Sequence, residues 1–125
     1  MTNKIAVVCD DDGTMVRIAR MVLTRQGFAV HEAGDGDAGL ALIRAVCPSL
    51  VLLDLQMPGK DGVAVLTELQ GMGHTGAYII VLSAEDRGVI DARIRGLGAS
   101  ESMTKPFNPM EFSRKIEALV LDGKI

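Results

Sequence analysis

Leu50-Val51-Leu52-Leu53-Asp54 is an unbroken apolar run closed by a carboxylate. A strand with one wet face alternates apolar and polar residues. An unbroken run fits a strand buried on both faces, as in a parallel sheet. Ile5-Ala6-Val7-Val8-Cys9 repeats the pattern and stops at Asp10-Asp11-Asp12, and Tyr78-Ile79-Ile80-Val81-Leu82 stops at Ser83. Weaker runs at Ala29-Val30 and around Ser102-Met103-Thr104 complete five predicted strands.

Helical spacing fills the gaps between them. Met15, Ile18, Ala19, Val22 and Leu23 share one helix face that ends near Gly27. A second helix runs from Asp35 or Asp37 to Ala45, with Leu40 and Ile43 on its apolar face and Pro48 beyond its end. Val63, Leu66 and Leu69 mark a third, closed by Gly71 and Gly73, and Ile90, Ile94 and Leu97 a fourth, closed by Gly98. The fifth opens with Asn108 as cap, Pro109 in the first turn and Glu111 behind it, and carries Phe112, Ile116, Leu119 and Val120. Strict alternation of strand and helix predicts an α/β fold, a (βα)5 doubly wound five-stranded parallel sheet with right-handed crossovers.

Composition narrows the function. The chain has 125 residues, 48% hydrophobic and 23% charged, which suits one domain with its own core and excludes a disordered chain. Thirteen basic residues against 16 acidic ones, and only Phe28, Tyr78, Phe107 and Phe112 as aromatics, argue against nucleic acid as a partner. No apolar stretch nears the roughly 20 residues of a membrane span, and no signal-peptide pattern opens the chain. A cytoplasmic location is therefore expected. Cys9 and Cys47 lie in apolar surroundings with no partners at metal-ligand spacing, so both are expected to be buried free thiols.

Parallel sheets carry their working residues at the carboxyl ends of the strands. Reading that edge gives Asp10, Asp11 and Asp12 after the first strand, Asp54 at the third, Ser83 at the fourth and Lys105 after the fifth. Singly, each is commonly a cap, a turn residue or solvated surface. Together they form a set. Converging carboxylates repel one another unless a cation joins them, and oxygen ligands suit Mg²⁺. Carboxylate nucleophile, metal, lysine and hydroxyl are the parts needed for phosphoryl transfer.

Leu53-Asp54-Leu55-Gln56-Met57-Pro58-Gly59-Lys60-Asp61-Gly62, Ser83-Ala84-Glu85 and Lys105-Pro106-Phe107 give the chain its resemblance. From Lys4 to Leu121 it resembles a response-regulator receiver domain, most closely the stand-alone CheY-like type of flavodoxin-like topology. The resemblance implies that residues 1–125 are a single receiver domain without an output domain. It also implies that Asp54 accepts a phosphoryl group from a sensor histidine kinase or phosphotransfer protein. Mg²⁺ would be held directly by Asp11 and less directly by Asp10, with Asp54 and the backbone carbonyl of Gln56 completing the protein ligands. Ser83 would hydrogen-bond the phosphoryl group, Lys105 would pair with it, and the Lys105-Pro106 bond would be cis. Gln56 and Glu85 occupy positions that tune autodephosphorylation. The implied role is phosphorylation-dependent protein binding rather than turnover of an external substrate. A downstream target would dock on the fourth helix, fifth strand and fifth helix, here including Arg87, Asp91, Arg95, Glu101, Ser102 and Lys115. Receivers usually carry Tyr or Phe three residues before the lysine; this chain has Ser102.

The aspartate run permits two registers. Asp10 and Asp11 as the acidic pair keep Met15 on the core face and leave Asp12 as a cap or solvent-facing neighbour. Asp10-Asp11-Asp12-Gly13-Thr14 also fits the first motif of haloacid-dehalogenase-type phosphatases, with Asp10 as nucleophile and Asp12 as general acid. That reading needs a further acidic pair at a strand end beyond Lys105, where only Glu111, Glu117 and Asp122 remain, and leaves the Met57-Pro58 and Asp61-Gly62 segment without a role. A flavodoxin-like cofactor binder would need a phosphate-cradling loop where three carboxylates stand. A pseudo-receiver that takes no phosphoryl group is the remaining alternative, and the intact Asp54, Asp11, Ser83 and Lys105 speak against it.

Overall fold

The computed structural model describes residues 4–72, 76–84, 92 and 94–125. Five strands, β1 (Ile5–Cys9), β2 (Ala29–Ala33), β3 (Leu50–Asp54), β4 (Tyr78–Ser83) and β5 (Glu101–Thr104), form one sheet in the order β2-β1-β3-β4-β5. Every pairing is parallel. Four helices with described bounds accompany them: α1 (Gly13–Arg25), α2 (Gly36–Val46), α3 (Gly62–Gly71) and α4 (Pro109–Leu121). Of the predicted fourth helix, Ile90 lies outside the described residues, while Ala92, Ile94 and Arg95 are helical and Ile94 is buried. Gly73, Glu85, Arg87 and Asp91 also lie outside them.

The apolar runs have the predicted cause. Ala6, Val8, Leu50, Leu52, Ile80, Leu82 and Met103 face a layer built by α1 and α4, including Leu23, Phe112 and Ile116. Their alternates Val7, Cys9, Val51, Leu53, Ile79 and Val81 face Leu40, Ile43, Val65, Leu66, Leu69 and Ile94. Both faces of the three central strands are dry, so no polar residue interrupts them. Replacing a side chain as deeply buried as Phe112 by alanine costs about 3–5 kcal/mol.

The edge strands were harder to read. β2 runs past Val30 through His31 and Glu32 to Ala33, of which only Ala33 is buried. An edge strand keeps half its surface in water and can carry such polar residues. β5 begins at Glu101 and buries Ser102 opposite Val81. One expectation is corrected: Cys9 is buried, but Cys47 is exposed. Cys47 ends α2 in a left-handed conformation, φ 47°, and this turns its side chain off the helix's apolar face.

Each of these four helices opens on a side-chain cap. Asp12, Asp35 and Asp61 accept from the backbone N–H groups of Thr14 (2.9 Å), Ala38 (2.8 Å) and Ala64 (2.9 Å), and Asn108 from Met110 (2.8 Å). Such a cap contributes about 1 kcal/mol. Asp12-Gly13, Asp35-Gly36 and Asp61-Gly62 are three repeats of one device, an aspartate cap followed by glycine. At two of them the glycine is needed for space. A Cβ on Gly36 would overlap the carbonyl of Lys60, and one on Gly62 the carbonyl of Asp54.

Candidate functional site

Strand register gathers the site. Cys9 pairs with Leu53, so the next residues, Asp10 and Asp54, emerge from neighbouring strands. Asp54 pairs with Leu82, and Ser83 with Thr104, so Ser83 and Lys105 follow along the same edge. The sheet order reverses direction between β1 and β3, the point at which doubly wound sheets open a crevice.

Backbone contacts fix each side chain. Asp10 donates its N–H to the carbonyl of Ala33 (3.0 Å), and its Oδ1 accepts the N–H of Asp12 (2.9 Å). Asp54 Oδ1 accepts the N–H of Gln56 (3.0 Å). Lys105 donates its N–H to the carbonyl of Ser83 (2.8 Å), and the Lys105–Pro106 peptide is cis, as the resemblance implied. Phe107 packs on Phe112 of α4 with ring centroids 4.8 Å apart, anchoring the chain just beyond the lysine.

These restraints bring Lys105 Nζ to 3.1 Å from Asp54 Oδ2 and 3.1 Å from Asp10 Oδ1. Asp10 and Asp54 are each only 3% exposed, and Ser83 is buried beside them. Two buried carboxylates therefore share one ammonium. Burial raises the pKa of Asp10, the Asp54 carboxylate adds to that rise, and the hydrogen bonds from Asp12 and Lys105 only partly offset it. Burial alone would lower Lys105, but its hydrogen bonds to Asp10 and Asp54 outweigh burial and hold it above the usual lysine value. Lys105 is thus a fixed cation at neutral pH.

The acidic cluster suits a hard cation. Asp10, Asp11 and Asp54 each place a carboxylate oxygen within 4.8 Å of the others. Asp10 Oδ2 is buried without a hydrogen bond among the described residues, although Lys105 Nζ lies 3.1 Å away, because the ammonium's hydrogen bond goes to Oδ1. An unsatisfied buried carboxylate oxygen is costly and is relieved by a cation. Asp11 is exposed, and an open depression of about 560 Å³ lined by Asp10, Asp11, Gly13, Arg17, Glu32 and Gly34 leads solvent to the cluster. Asp12 spends its carboxylate on capping α1 and stays outside the cluster. Among the described residues the acidic cluster is thus Asp10, Asp11 and Asp54, with Asp12 on the helix cap.

Sequence reasoning missed the supports. Gly62 N–H donates to the carbonyl of Leu55 (3.2 Å), closing the loop that carries Gln56. Lys60 pairs with Asp37 at the start of α2 (3.2 Å) and with Glu68 of α3. Glycine at the first helical position, where alanine is the better helix former, was the available signal for a close backbone approach.

Comparison with known proteins agrees with this geometry. The response regulator receiver domain family matches residues 6–117. The transcriptional regulatory protein SrrA of Staphylococcus aureus is 35% identical over 122 residues, covering 96% of this chain and 48% of SrrA. The chain thus spans about half the length of that curated relative. The receiver domain of the Francisella response regulator 1452 is 26% identical with a TM-score of 0.84, covering 94% of this chain and 96% of that one. A CheY-like response regulator receiver domain protein from Methanospirillum hungatei shares the fold at 24% identity, with a TM-score of 0.85 and coverage of 98% and 97%. No helix among the described residues is long and apolar enough to cross a membrane. On the family match, the shared fold and the clustered strand-end residues, this chain belongs to the response regulator receiver domain family.

Proposed function

We propose that Asp54 is the phosphoacceptor of a two-component signalling pathway and that phosphorylation changes which proteins the domain binds. The observation that carries this reading is the Lys105 ammonium, 3.1 Å from both Asp10 and Asp54, within a cluster completed by Asp11. An Asp54 carboxylate oxygen attacks the phosphorus of a phosphohistidine on a sensor kinase or phosphotransfer protein. The P–O bond to Asp54 forms as the P–N bond breaks, and the electron pair leaves on the imidazole nitrogen. Asp10, Asp11, Asp54 and the carbonyl of Gln56 would hold Mg²⁺, which would supply neutralisation of charge on the phosphoryl oxygens. Lys105 pairs with one of those oxygens and the Ser83 hydroxyl donates to another. Water later cleaves the acyl phosphate, with Gln56 and Glu85 tuning its access. The chain catalyses only these changes on itself. Residues 1–125 act as one receiver domain, working in the cytoplasm. Its target-binding face comprises the segment through Arg95, β5 with Glu101, and α4 with Lys115; Ser102, expected on that face, is only 2% exposed and is not part of it. With a buried serine at 102 instead of an aromatic, coupling to that face runs through Ser83 and the loop after β4.

Incubation with acetyl phosphate and Mg²⁺, followed by intact-protein mass spectrometry, tests the reading. It predicts one phosphoryl adduct, lost in Asp54→Asn and in Mg²⁺-free buffer and retained in Asp12→Ala. An adduct that survives Asp54→Asn contradicts it.

A further inference from the structure

Lys60 is the one cation in the loop 55–61 that follows Asp54. Its backbone and its side chain are both engaged, and on the same neighbour. The carbonyl sits so close over Gly36, the first residue of α2, that no Cβ fits between them. The ammonium reaches Asp37, the next residue of α2, at 3.2 Å, and Glu68 of α3. The loop is thereby clasped at its far end to two helices. Its near end is closed by Gly62 N–H on the carbonyl of Leu55. Between these two points lies Gln56, whose N–H holds Asp54 Oδ1 at 3.0 Å, and Met57, which is buried in the core. Gly59, φ +71°, adds a residue that could take many conformations if the clasp opened.

We propose that Lys60 is a positioning residue, its bridge to Asp37 and Glu68 fixing the loop that presents Gln56 to the acidic cluster and thereby setting the affinity of that cluster for Mg²⁺. The inference rests on the receiver reading of Asp10, Asp11, Asp54 and Gln56. Supporting residues of this kind govern metal affinity because a ligand held in place loses less freedom on binding.

The sign of the effect separates positioning from plain charge. Lys60 is a cation near an acidic cluster, so removing it strengthens cation binding if it acts only through space. A positioning role predicts the reverse. Isothermal titration of MgCl2 into the native chain, Lys60→Gln and Lys60→Arg provides the test, alongside far-ultraviolet melts of each. Lys60→Gln is expected to bind Mg²⁺ about three- to fivefold more weakly, and Lys60→Arg to restore most of the loss. Raising ionic strength screens the half-exposed pairs, so the gap between Lys60→Gln and the native chain narrows in high salt. If Lys60→Gln does not melt cooperatively, Lys60→Met replaces it; there too, through-space charge alone predicts tighter Mg²⁺ binding and positioning weaker binding.

Unchanged or tighter Mg²⁺ binding in Lys60→Gln overturns the proposal. A native chain that binds Mg²⁺ but takes no phosphoryl group overturns the phosphoacceptor reading alone, because the titration still decides the role of Lys60. A native chain without Mg²⁺ binding overturns both.

Discussion

Asp10→Asn is predicted to make the metal-free protein more stable while removing its response to Mg²⁺. Asp10 and Asp54 are each 3% exposed and share the single ammonium of Lys105 at 3.1 Å, leaving one buried negative charge in excess. Apart from its 3.1 Å ion pair with Lys105, Asp10 Oδ2 has no hydrogen-bond partner among the described residues. Asparagine keeps an acceptor for the N–H of Asp12 and for Lys105, and it offers an amide N–H toward Asp54 in place of a second carboxylate. Relief of the unsatisfied buried oxygen is worth about 1–2 kcal/mol. With an unfolding entropy of about 2.1 cal/mol/K per residue, that corresponds to a rise in Tm of ~4–8 °C in EDTA at neutral pH. Mg²⁺ at about ten times its Kd adds ~1.4 kcal/mol to the native chain and much less to the variant, so the advantage shrinks or reverses. The pH dependence carries a definite sign. Burial raises the Asp10 pKa, so the folded state holds that proton more tightly than the unfolded chain does. Asp10 therefore detracts from stability as pH climbs from the ordinary carboxylate range toward its raised folded-state pKa, and the gap between variant and native widens over that interval. Far-ultraviolet melts across that range read it out. A variant that melts below the native protein in EDTA at pH 7 refutes the electrostatic account.

Asp12→Ala removes the α1 cap and is predicted to cost about 1 kcal/mol in urea denaturation while leaving phosphorylation intact, since Asp12 lies outside the acidic cluster. Loss of the adduct in that variant would return weight to the phosphatase alternative. Gly62→Ala places a Cβ against the carbonyl of Asp54 and is predicted to destabilise by about 1–3 kcal/mol despite alanine's helix propensity; a stabilised variant contradicts the close approach. Tyr78 is the sole tyrosine, and burial together with its hydrogen bond to Glu101 pushes it up to about 12. Tyrosinate absorbance is thus expected to appear near that value in the folded state, and its folded-state advantage is kept below the ordinary tyrosine pKa and lost as pH rises through about 12. Ionisation near pH 10 would show that the contact with Glu101 is not formed in solution.

The central strands and the edge they share were legible because burial on both faces leaves an unbroken apolar run, as in Leu50–Leu53. β2 was only half legible, since water on its outer side admits His31 and Glu32. The site residues could be grouped from sequence because each stands at the end of such a run, and register then makes Asp10 and Asp54 neighbours. What sequence could not supply was distance across the chain. Nothing local tells Lys60 that Asp37 and Glu68 stand opposite, or Gly36 that a carbonyl will rest on it. Cys47 was misread for a related reason: apolar neighbours predict burial, but its left-handed turn takes it out of the helix face they belong to.

The central claim, that the carboxylate of Asp54 becomes an acyl phosphate, is tested most directly by identifying the modified atom. Borohydride reduces an acyl phosphate to an alcohol and leaves phosphoesters and free carboxylates untouched. After incubation with acetyl phosphate and Mg²⁺, reduction and peptide sequencing by mass spectrometry are predicted to read homoserine at position 54 and aspartate at positions 10, 11 and 12. Homoserine at position 10 with Asp54 unchanged would contradict the account.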